Sequence, residues 1–124
     1  MSLEVKVLNE LNAARFQEVN EFEFFADEDR IIKLQIFDEL SNSVYLIPLT
    51  ATVSIVLRKK DNTNLTKAAT INTTHRSVII AALTAAETAE LISGNILVTI
   101  VDAGQTRIAR GINKMKLLSK VRSF

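Results

Sequence analysis

The stretch "SVIIAALTAAETAELISGNILVTIVD", Ser77–Asp102, decides the fold. Two apolar runs rich in β-branched residues flank a short run of Ala, Glu and Thr that favours helix. Thr84 opens "TAAE", the spacing of a capping box, in which its hydroxyl accepts from the Glu87 amide while the Glu87 carboxylate accepts from the Thr84 amide. The pattern predicts a helix over about 85–92, stopped by a left-handed turn at Ser93–Gly94. About two turns of helix are too short to stand alone. The segment therefore reads as a crossover between strands, with Leu91 and Ile92 plugging the open end of two packed sheets.

Strict alternation governs the chain on either side. In "RIIKLQIF", Ile32, Leu34 and Ile36 share a face opposite Lys33 and Gln35. In "TATVSIVLRKK", Ala51, Val53, Ile55 and Leu57 oppose Thr52, Ser54 and Arg58. Successive side chains of a strand point to opposite faces, so each segment offers one side to a core and one to water. Turn chemistry separates these runs at Asp61–Asn64, Thr73–Ser77 and Asp102–Gln105, where Gly104 is free to take positive φ. After the last turn, "TRIARGINKMKLL" reads as a closing strand with Gly111 at a bulge or bend. Short strands at roughly ten-residue spacing predict an all-β, antiparallel sandwich.

The N-terminal part is less regular. "LEVKV" alternates, "LNELNAARFQEV" has weak helical spacing, and "EFEFF" is a short strand with Phe22 and Phe24 on one face. Residues 1–20 are read as an extension or arm, 21–118 as the sandwich and 119–124 as a tail.

A chain of 124 residues without Cys is one domain's worth, with no disulfide and no thiolate metal site. Glu4 and Lys6 interrupt the run a signal peptide needs, and charges recur too often for a membrane span. Net charge is +1, but its distribution is uneven. Glu18, Glu21, Glu23, Asp27, Glu28 and Asp29 lie within twelve positions, whereas Arg107, Arg110, Lys114, Lys116, Lys120 and Arg122 follow Asp102 with no acid among them. Such asymmetry predicts an acidic and a basic surface on one body.

No catalytic constellation emerges. His75 is the only histidine and sits in a turn, without the flanks of a nucleophile elbow elsewhere. "DED" at Asp27–Asp29 and "DNTN" at Asp61–Asn64 lack the central Gly and terminal Glu of a calcium loop. Gly94, Gly104 and Gly111 are too dispersed for a phosphate loop. With no Trp and only Tyr45, aromatic platforms for a sugar ring are scarce. The basic C-terminal segment lacks interleaved aromatics, which disfavours nucleic acid. The expectation is no catalytic, cofactor or metal site.

The hairpin "VLRKKDNTNLTKAAT" followed by Leu83, Thr84, Glu87, Thr88, Ala89, Leu91, Gly94, Asp102, Gly104 and Gly111 resembles the Ig-like β-sandwich domains of tailed-phage virion proteins, such as the N-terminal domains of baseplate upper proteins and related tail or capsid accessory domains. The resemblance covers residues 50–118 and departs at Asn95-Ile96, where those domains often carry an aromatic. It implies an Ig-like sandwich and a non-enzymatic structural subunit of a virion, made in the host cytoplasm. Such a subunit docks on copies of itself, as a homo-oligomer in the particle, and on other virion proteins, with no membrane partner. Glu21, Glu23, Asp27, Arg110, Lys114, Lys116, Lys120 and Arg122 are then the candidate interface. A carbohydrate- or cell-surface-binding module on the same scaffold is the alternative.

Overall fold

The computed structural model describes residues 1–12 and 15–119. Its strands are β1 (Leu3–Asn12), β2 (Arg15–Val19), β3 (Phe22–Phe24), β4 (Arg30–Asp38), β5 (Ser43–Val44), β6 (Thr52–Lys59), β7 (Asn64–Ile71), β8 (Val78–Leu83), β9 (Leu91–Asp102) and β10 (Gln105–Leu117). The single helix among the described residues, α1 (Ala85–Glu90), joins β8 to β9.

All-β is the class found, but the sheets do not stack as an Ig-like sandwich. One sheet runs β1-β10-β9-β6-β7-β8-β4 and returns to β1, closing a barrel. The alternating pattern says only that one face of each strand is buried. In a sandwich that face meets a second sheet; here it meets the far wall of the same sheet. Closure also removes most of the unpaired edge that an open sheet would expose.

The closing strand comes from the expected N-terminal extension. Leu3–Leu8 pair antiparallel with Asp38–Lys33, and Glu4 meets Arg110 in the only parallel step of the ring. Beyond that step β1 pairs with β2, and β10 pairs in parallel with β3, so β2 and β3 occupy the sector where β1 and β10 diverge. Val5 and Val7 therefore belong to the core, together with Ile32, Leu34, Ile36, Ile55, Leu57, Ile96, Val98 and Ile100. Gly111 matters here. A Cβ at this position would lie 3.2 Å from Val5 Cβ and 2.8 Å from Lys114 Cγ, so its bare backbone admits β1 against β10.

The capping box forms as read, with Glu87 N–H donating to Thr84 Oγ1 at 3.2 Å and Thr84 N–H donating to Glu87 Oε1 at 2.9 Å. The helix is shorter than expected. Leu91 is already extended and pairs with Lys59, so strand pairing ends the helix before Ser93–Gly94, and no left-handed stop forms there. Leu91 is fully buried, whereas Ile92 is 40% exposed and plugs nothing. Because β8 and β9 are separated in the ring by β6 and β7, α1 crosses one end of the barrel instead of bridging two layers. It is tied there by Lys67 on Glu87 (2.8 Å), by Lys59 on Glu90 (3.3 Å), and by the Lys60 amide donating to Glu90 O. Buried Thr88 links it to the segment before β4.

The turns behave as their residues require. Asp102 and Gln105 pair across Ala103 and Gly104, both at positive φ (50° and 76°), the twist that suits a two-residue hairpin. At the β6–β7 tip Asn62 takes φ 68°, and the Asp61 carboxylate accepts from the Thr63 amide and hydroxyl. Those bonds, the hydroxyl's first, hold its carboxyl below the usual range.

Candidate functional site

The acidic and basic segments expected on separate surfaces lie side by side. Parallel pairing sets Phe22, Glu23 and Phe24 against Met115, Lys116 and Leu117. Lys116 Nζ stands 3.7 Å from Glu21. Arg30 ties the same strip down, donating to Glu23 O at 2.7 Å and lying over the Phe22 ring at 4.6 Å. Asp27 is exposed in the following turn at φ 64°, and Lys114 is half-buried in the β10 bulge. Lys120 and Arg122 lie outside the described residues. Of the eight residues expected at an interface, Glu21, Glu23 and Lys116 are thus gathered within one chain, where Lys116 pairs with Glu21. Linear charge blocks carried no information about this, because the β3–β10 pairing joins segments some ninety residues apart.

Arg110 stands apart from that strip, on the outer wall. On β10 the residues Ala109 and Gly111 point inward, so Ile108, Arg110 and Ile112 form an outward row. Ile108 is 48% exposed and Ile112 69%. Beside them, exposed Met1 together with Glu4 and Glu39 lines a shallow depression of about 390 Å³. Arg110, Glu4 and Glu39 make no ion pair among the described residues, although Glu4 and Arg110 are register neighbours. Aliphatic side chains flanked by free charges of both signs form a surface that can exclude water at its centre and orient a partner at its rim. The sequence did carry a signal for it: Ile108, Arg110 and Ile112 share parity opposite two small residues.

A second feature lies farther along the same wall, where two strand ladders lose register together. Between β6 and β9, Leu57↔Ile96 is followed by Lys59↔Leu91, so β9 advances five residues while β6 advances two. Between β10 and β9, Gly111↔Ile96 is followed by Met115↔Gly94, and here β10 carries the surplus. Side chains replace the missing ladder bonds: Asn95 Oδ1 accepts from the Asn113 amide at 2.8 Å, and Ser93 Oγ accepts from the Leu117 amide at 2.9 Å. Asn113 sits at φ 55°. The break leaves a half-open dent of about 310 Å³. Val56 and Leu97, cross-strand partners, face out into it, with Arg58 and Asn64 on one rim and Ser93, Asn95 and Asn113 on the other. The bulge expected at Gly111 is one end of this break, but nothing local in the sequence joined it to Arg58, Asn95 and Asn113, because the meeting of two bulges depends on how three strands pair.

His75 is exposed in its turn, with the Phe16 ring edge-on at 5.5 Å. Asp29 accepts from the Ala85 amide at 2.7 Å, adding a bond to the first turn of α1. Among the described residues, no group of His, Cys, Asp and Glu is arranged to hold a metal ion, and no helix is long and apolar enough to cross a membrane. No family model matches this chain, and no curated protein matches it.

Proposed function

We propose that this chain is a non-enzymatic assembly subunit of a phage virion that docks on a second copy of itself through the outer face of β10. The observation that carries the docking is the exposed row Ile108, Ile112 and Met1 beside Arg110, Glu4 and Glu39. Free charges of opposite sign on one patch are self-complementary under a two-fold axis, each arginine reaching the other copy's carboxylates. The virion setting is supported by the resemblance of residues 50–118 alone, and the sandwich that the resemblance implied has given way to a barrel.

Sedimentation velocity across micromolar to millimolar concentration tests the docking. The expected result is a reversible dimer that Ile108→Asp abolishes and raised salt weakens. A wild-type chain that stays monomeric throughout, or a dimer indifferent to Ile108→Asp, refutes it. Genes for capsid, tail or baseplate proteins beside the coding sequence would support the virion setting, and a neighbourhood without them would count against it.

A further inference from the structure

We propose that the dent at the double register break is a binding site for a saccharide carrying a carboxylate. The inference is independent of the docking face, since it rests on different side chains. Bulges re-aim side chains, and two of them converge here. Asn113 takes φ 55° within the β10 bulge, a left-handed backbone that asparagine tolerates.

The chemistry of the walls selects the ligand class. Asn64, Asn95 and Asn113 present side-chain amides, which combine a donor and an acceptor and so match vicinal hydroxyls that also do both. The Asn95 oxygen is engaged by the Asn113 amide, which holds the side chain and leaves its NH₂ to donate. Ser93 Oγ accepts from Leu117, leaving its proton to donate. Arg58 is the only charged lining residue among the described residues. Its Nη1 is anchored on Asn62 O at 3.0 Å, and the remaining donors of its planar fork suit a carboxylate. Val56 and Leu97 supply an aliphatic floor for the ring's C–H face. The volume is at the low end for a ligand site and fits one sugar ring better than an extended chain. With no aromatic ring to stack on, affinity for one ring should be on the order of a millimolar.

The test is a two-dimensional NMR titration of the full isotope-labelled chain with D-glucuronate, run beside D-glucose and acetate. With glucuronate, shifts should be confined to residues 56–58, 64, 93–97 and 113. Glucose should bind several-fold more weakly, and acetate should perturb the surroundings of Arg58 alone. Arg58→Gln should weaken glucuronate binding about tenfold, the scale of one lost charge-assisted pair. Asn113→Gly should weaken it too, and it keeps the fold because glycine accepts the positive φ. Repeating the titration on Ile108→Asp separates ligand shifts from self-association. Absence of localised shifts at tens of millimolar, equal binding of glucose, a full pattern with acetate, or indifference to Arg58→Gln overturns the proposal.

Discussion

Thr88→Val probes the joint that holds α1 across the end of the barrel. Thr88 is fully buried, and its Oγ1 accepts from the Glu28 amide at 3.1 Å while lying 2.8 Å from Glu28 O and 3.1 Å from Ala85 O. Valine keeps the shape and deletes the hydroxyl. Two hydrogen bonds at about 1 kcal/mol net each are lost, and taking the acceptor from a part-buried amide adds a desolvation cost of about 1 kcal/mol or more. The extra apolar group returns about 0.8 kcal/mol. The balance is a destabilisation of about 2 kcal/mol. Thr88→Ser supplies the control: it keeps the oxygen and loses one methyl, which costs about 1 kcal/mol. Urea unfolding followed by circular dichroism compares them, with an unchanged slope confirming that the midpoint shift reports stability. If serine proves as damaging as valine or worse, Thr88 matters through packing and the hydrogen-bonded joint is the wrong explanation.

Two further outcomes follow from the same geometry. Gly111→Ala should destabilise by about 1–3 kcal/mol, because Val5 and Lys114 must both give way; a thermal midpoint unchanged from wild type would mean β1 is not pressed against β10. The Glu87 carboxyl is held below its ordinary 4.5, chiefly by the Lys67 ammonium and then by the Thr84 amide. A depressed carboxyl contributes stability above its unfolded pKa and loses it as pH falls through the folded one. The stability gap between wild type and Glu87→Gln should therefore be full at neutral pH, about 0.5–2 kcal/mol, and close as acid takes the solution below 4.5. A gap that persists unchanged into strong acid would show that the cap works without the charge.

Much of the local structure was legible because its causes are local. The period-two pattern of Ile32, Leu34 and Ile36, or of Val53, Ile55 and Leu57, places those side chains inward whatever the strand pairs with. The box at Thr84 and Glu87 and the positive-φ turn at Ala103–Gly104 each close within a few residues. The helix end was misplaced because Leu91 answers to Lys59 on another strand and not to the glycine that follows it. The charge blocks gave no sign of the Glu21–Lys116 pair for a similar reason, since the two are neighbours only through the parallel β3–β10 pairing.

What the amino-acid order determined by itself is that the alternating stretches are strands, which face each buries, and where the chain turns between them; the described residues of "LNELNAARFQEV", read with weak helical spacing, are instead strand in β1 and β2. Tertiary structure alone decided that the buried faces look across a barrel, that residues 3–8 close it, and that two bulges meet to hollow its outer wall. Backbone dihedrals and side-chain direction are set by near neighbours, whereas the partner of a strand edge is chosen among all compatible edges by the packing of the whole core.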